Sequence, residues 1–152
     1  PMSQSAEEFL ASHELLTLAT ASSSGEPHAA PVFYATEGTT IFFSLNASSQ
    51  SYKNIKENGR ASVAVGDAPD DGQDWTAAKG IQITGSVTDI EGDEERDAGQ
   101  KVAARYSYLD DVFSGGDFFR LDPTEVHYVD NSTDGDEAFE ALGVEWKRSS
   151  VD

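Results

Sequence analysis

Short apolar segments bounded by turn formers recur along this chain, one of them alternating with a period of two, and they set the first picture of its fold. Leu15-Leu16-Thr17-Leu18-Ala19-Thr20, closed by the turn formers Ser22-Ser23-Ser24-Gly25, predicts a strand and a turn. The run from His28 to Ala35 predicts a second strand, with Pro31 marking a bulge or an edge because proline cannot donate to a ladder. After a turn at Glu37-Gly38, Thr40-Ile41-Phe42-Phe43-Ser44-Leu45 has the aromatic and β-branched content of a third strand. Ala61 to Val65 and Gly80 to Thr88 continue the pattern, and Phe118 to Leu121 and Glu125 to Asp130 add two strands divided by Asp122-Pro123.

Helical spacing interrupts this series of segments three times. Ser5 and Glu8 stand at capping-box spacing ahead of a short helix that carries Phe9 and Leu10 and ends near His13. Ser48 or Ser49 caps a second helix, with Tyr52 and Ile55 on one face and Gly59 just past its end. A third runs from about Glu94 to Tyr106, with Ala98, Val102, Ala103 and Tyr106 along its apolar side. Hairpin turns between the early strands, with helices only after the third and fifth, predict an antiparallel barrel or sandwich rather than a parallel α/β sheet. The segment from Gly66 to Ala78, rich in Asp and Gly and carrying Trp75, is expected to be mobile or to dock on a partner.

A chain of 152 residues suits one domain. Pro1 precedes Met2, where a natural chain would start, and reads as an appended residue outside the fold. The expected division is a barrel domain over residues 2–131 and a polar tail over 132–152. That tail carries Phe139, Leu142 and Trp146, and is expected either to be partly disordered or to pack on a dimer partner.

Charge changes the picture of partners. Twenty-eight acidic residues against 10 Lys plus Arg give a formal charge of −18, a field that repels nucleic acid and anionic membrane. So acidic a surface suggests a halophilic, high-salt setting, because about 1 M salt shortens the Debye length to ~3 Å and screens self-repulsion. With no secretory core and no apolar stretch of spanning length, the expected location is cytoplasmic.

Candidate chemistry is sparse. The chain has no cysteine, and His13, His28 and His127 lack metal-ligand spacing, so no metal site is expected. His28 and His127 read as hydrogen-bonded structural residues, and Asp70-Asp71 and Asp110-Asp111 as solvated surface. Ser48-Ser49-Gln50-Ser51 at a helix start, with Lys53 nearby, is either a phosphate receptor or ordinary capping; the residues alone leave both open.

The order Gly25-x-Pro27, Pro31-Val32-Phe33-Tyr34, Phe42-Phe43-Ser44-Leu45-Asn46, Ser49 and Asn54-Ile55 resembles the pyridoxamine phosphate oxidase-like split barrel. Lys79 to Gly85, Ala104-Arg105-Tyr106 and Val126 to Asn131 look like an uncharacterised bacterial and archaeal subgroup of it. The resemblance implies a mainly β (α+β) fold, an antiparallel Greek-key split β-barrel with short flanking helices. It also implies a homodimer with FMN in grooves between the chains. On that resemblance Val32, Phe33 and Tyr34, with Ser44 to Asn46, flank the flavin ring. Ser49, Gln50, Ser51 and Lys53 approach the phosphate, and Lys79 and Gln82 reach the cofactor from another strand. The family's arginine on the second strand falls on Ala30, and its Arg-Lys pair on Gln50-Ser51, so three phosphate-binding cations are missing. An FMN-binding flavoprotein is the leading expectation, with a flavin-dependent oxidoreductase of unknown substrate as the reading if it is an enzyme; the alternatives are a deazaflavin-dependent reductase and a cofactor-free binding or stress-related module. No histidine has a position assignable to a haem ligand.

Overall fold

The computed structural model describes residues 2–67, 78–109, 116–130 and 149–150. In chain order they form α1 (Met2–Ala11), β1 (Leu15–Ala21), β2 (Pro27–Phe33), β3 (Ala35–Glu37), β4 (Thr40–Leu45), α2 (Gln50–Asn58), β5 (Arg60–Asp67), β6 (Lys79–Asp89), α3 (Gly92–Arg105), β7 (Asp117–Asp130) and β8 (Ser149–Ser150). The expected loop around Trp75, the Asp70-Asp71 and Asp110-Asp111 pairs, and Phe139, Leu142 and Trp146 lie outside the described residues.

Every described strand pair is antiparallel, and the order β2-β1-β5-β6-β7-β4-β3, with β8 beside β7, is a split barrel. Alternation drives the closure. Leu16, Leu18, Val63, Val65, Ile81, Ile83, Phe119 and Leu121 point inward, all at 5% exposure or less, around a stacked Phe43–Phe119 pair. Burying each such side chain stabilises the fold by roughly 1.5–3 kcal/mol. β4 is apolar on both faces because it serves two cores. Ile41, Phe43 and Leu45 fill the barrel, while Phe42 packs under α3 with Ala98, Val102, Tyr106 and Phe118.

Four local expectations are corrected. α1 begins at Met2, so Ser5 lies within the helix and not at its cap; the buried Ala6, Phe9 and Leu10 stripe fixes the helix instead. Ala103 is exposed and α3 buries only Ala98 and Val102, before Tyr106 at its C-cap. The predicted second strand divides at Tyr34, whose carbonyl oxygen accepts from the Tyr106 hydroxyl at 2.7 Å and from Arg105 Nη1 at 2.9 Å. Side-chain donors thus replace the ladder there, and β2 pairs with β1 while β3 pairs with β4.

The two strands expected around Asp122-Pro123 are one strand, β7. A register shift at Thr84/Gly85 absorbs an extra residue, so that Gly85 faces Pro123 and Thr84 faces Glu125. A side chain at position 85 would place its Cβ 2.1 Å from the Asp122 carbonyl oxygen, which is why a glycine stands there. At the C-terminal side, Ser149 and Ser150 pair with Tyr128 and His127 of the same chain.

Candidate functional site

Among the described residues β2 lies at the end of the strand order and pairs only with β1, which leaves its other edge open among them. An open groove of about 400 Å³ runs along that edge, lined by His28, Ala30, Pro31, Val32, Phe33, Ser44, Leu45, Asn46, Ser49, Ser51 and Gly116. Ala30 and Val32 share the inward face with the buried partners Leu18 and Leu16, whereas Pro31 and Phe33 face outward opposite Thr17 and Leu15. Residues of both parities line the groove, so it meets β2 edge-on and is exposed to its main-chain groups.

The opposite wall is built by local turn chemistry. Asn46 Oδ1 accepts from the Ser48 amide at 2.9 Å and the Ser48 hydroxyl at 2.8 Å, turning the chain from β4 toward α2. Ser49 then caps α2, its Oγ accepting from the Tyr52 amide at 3.1 Å. Gln50 Nε2 donates to Asn54 Oδ1 at 2.9 Å, and Asn54 Nδ2 donates to Thr20 Oγ1 at 3.0 Å, a buried link that seats α2 on β1. At the start of β7, Gly116 approaches so closely that a Cβ would stand 2.7 Å from Ser44 Oγ.

Of the residues expected at a cofactor, Val32, Phe33, Ser44, Asn46, Ser49 and Ser51 come together in this groove. Tyr34 lies behind it, fully buried, with its hydroxyl donating to the Leu10 carbonyl at 2.6 Å and its phenol pKa pushed up to about 12 by burial. Gln50 is turned onto Asn54, and Lys53 is exposed on α2. Lys79 lines a separate cleft with His13, Asp67 and Asp130, and Gln82 stands exposed on the outer face of β6. His28, Pro31 and Gly116 were not anticipated as lining residues. For His28 the available signal was its two-residue spacing from Ala30 and Val32 on one strand face.

No lysine or arginine lines the groove among the described residues. The cations act elsewhere. Arg105 stacks 4.6 Å above the Tyr34 ring, Arg120 pairs with Glu94 and Asp122, and Lys56 pairs with Asp89 at 2.9 Å. His127 pairs with Glu125, and His13 Nε2 meets Asp67 at 3.2 Å. No three His, Asp or Glu side chains gather as a metal-ligand set among the described residues. No helix among them is long and apolar enough to cross a membrane.

A split barrel with a ligand-sized groove along its open edge, lined by no Lys, Arg, Asp or Glu among the described residues, is the class that the fold and this site define. The chain belongs to the pyridoxamine 5'-phosphate oxidase family, whose model matches residues 2–130. Among solved structures it is similar to a heme binding protein from Mycobacterium smegmatis (TM-score 0.75, 23% identity, 99% of this chain and 58% of that one). The chain thus spans under two thirds of that protein's length. It is also similar to the heme storage protein HutZ of Vibrio cholerae (TM-score 0.70, 18% identity, 82% of this chain and 92% of that one). A third structure, a FAD-binding protein of Mesorhizobium loti, matches with TM-score 0.67 and 18% identity over 81% of this chain and 88% of that one. At these identities the likeness is one of fold. No curated protein sequence matches the chain.

Proposed function

We propose that the groove binds a flavin mononucleotide-type cofactor and that the protein works as a homodimeric flavoprotein of the oxidoreductase class. The observation that carries this reading is the open edge of β2 beside apolar walls. An isoalloxazine is a flat ring system with an imide N–H and two carbonyls along one edge, which suits a strand edge offering main-chain donors and acceptors. Val32, Phe33 and Leu45 would bracket the ring, and Ser49 and Ser51 at the start of α2 would meet the ribityl phosphate end. The flavin supplies the electron-transfer chemistry when bound. The protein orients the ring and shields one side of it from water.

A second copy is supported by the outer barrel face. Pro31, Thr17, Ala64 and Gln82 stand side by side across β2, β1, β5 and β6, followed by Ala29, Ala19, Ser62 and Thr84 in the next row. All eight are uncharged in a chain of formal charge −18, and Leu15 beside them is 48% exposed. Covering this face with its own copy places like against like without bringing carboxylates together. Lys79 and Gln82 would then contribute to the cofactor from the neighbouring protomer.

The test is titration of the protein, purified in molar KCl, with FMN while flavin fluorescence and the visible spectrum are recorded. Saturable quenching at about micromolar FMN, near one equivalent per chain, supports the reading. Absence of quenching, or a haem absorption band on parallel titration with haemin, overturns it.

A further inference from the structure

We infer that His28 is the residue by which the groove reads the charge of its ligand, so that the phosphorylated flavin is preferred over the unphosphorylated one only when the imidazole carries a proton. The inference rests on the flavin reading above and concerns the same groove.

Three observations place His28 in that role. Its ring is the only ionisable side chain among the groove's described lining residues, the others being apolar, hydroxyl, amide or glycine. It stands on the inward face of β2 with Ala30 and Val32, one pleat of about 7 Å from Ala30. Finally, it lies at the α2 end of the groove. Its cross-strand partner is Thr20, and Thr20 Oγ1 accepts from Asn54 of α2, the helix whose Ser49 and Ser51 line the same groove.

The other charges on the elements packed around it are occupied or directed elsewhere. Glu57 of α2 accepts from the Ser23 amide at 2.9 Å, Lys56 is held by Asp89, and Asp117 of β7 accepts from the Tyr52 hydroxyl. Glu26, in the turn before β2, and Lys53 on α2 are exposed, and neither lines the groove. β1 and β4 carry no charged residue. A ligand phosphate entering beside Ser49 and Ser51 therefore meets one group able to become a cation. A charge-assisted contact at a half-buried site survives salt that screens exposed pairs.

The experiment measures FMN and riboflavin affinities by fluorescence quenching in molar KCl, at about pH 6 and about pH 8.5, for the wild type, His28→Gln and His28→Arg. Circular dichroism confirms that each variant is folded. The ratio of the two affinities isolates the phosphate contribution, and comparison with His28→Gln removes the phosphate's own titration. In the wild type the preference for FMN should rise roughly tenfold from the higher to the lower pH. His28→Gln should lose that rise, and His28→Arg should hold the preference high at both pH values. An unchanged rise in His28→Gln overturns the inference while leaving flavin binding intact. Failure of both flavins to bind the wild type overturns the flavin reading itself, and the inference with it.

Discussion

The Tyr106 hydroxyl, at the end of α3, lies 2.7 Å from the carbonyl oxygen of Tyr34, at the break between β2 and β3. Both side chains are fully buried, and the same hydroxyl lies 2.8 Å from the Glu14 carbonyl. This contact ties the segment before β1 to the end of the strand that forms the groove. Tyr106→Phe should therefore destabilise the protein by about 1–2 kcal/mol, since it removes the one buried donor that the Tyr34 and Glu14 carbonyls share. Urea unfolding in molar KCl measures the loss, and an unchanged midpoint would show that Arg105 alone suffices at Tyr34.

Alkaline pH should unfold the protein through Tyr34. Burial raises this phenol from 10.0 to about 12, so between those values the folded state retains a proton that the unfolded chain releases. The corresponding stability is complete below pH 10 and is lost as pH rises through the folded value. Burial raises Tyr106 as well and adds to the same slope. Tyrosinate absorbance should rise together with loss of circular dichroism, and a rise well before unfolding would contradict the assignment.

Ala64→Glu should break the homodimer proposed above and leave a monomer. The substitution sets a carboxylate in the middle of the uncharged row between Thr17 and Gln82, opposite its own copy in a two-fold arrangement. Light scattering of the wild type and the variant in molar KCl reads the mass directly. An equally stable dimer in both would place the interface on another face.

Stability should rise with salt. Only 10 Lys and Arg residues offset 28 carboxylates, and several of those cations are held in ion pairs. Screening in molar KCl relieves the repulsion that remains. The difference from millimolar KCl should exceed about 1 kcal/mol, roughly 4 °C in Tm for a chain of this size. A flat response would remove the case for a saline environment.

Gly116→Ala should weaken the flavin binding proposed for the groove more than it weakens the fold. The added methyl enters the groove 2.7 Å from Ser44 Oγ, where a short side chain can give way at the expense of groove width. Combining it with Ser44→Gly should restore part of the affinity. If the double variant binds no better than the single one, Gly116 acts through the backbone at Leu45 instead.

Much of the barrel was legible because period-two patterning reports directly on which residues face the core. β1, β4 and β6 follow their apolar positions closely. The break at Tyr34 was hidden, since its cause is Arg105 and Tyr106, about seventy positions away in sequence. Pro123 suggested a gap, but a bulge opposite Gly85 lets β7 run through it. At the candidate site, Ser49 and Ser51 were legible because cap chemistry is local, whereas Asn46 followed from the family resemblance. For His28 the sequence showed only the strand face it shares with Ala30 and Val32; that this face meets a groove follows from β2 lying at the sheet's open edge. That is a property of the strand order and not of the strand.

A wall made from the edge of β2 presents atoms that every amino acid except proline carries alike. What such a wall offers a ligand is inherited with the strand pairing, so the side chains along it are free to drift while the shape of the opening persists. Affinity for the charged end of a ligand, in contrast, depends on a few exchangeable positions such as Ala30. Placing an arginine there would be the smallest step by which selection, or a designer, gives a groove of this kind a fixed cation.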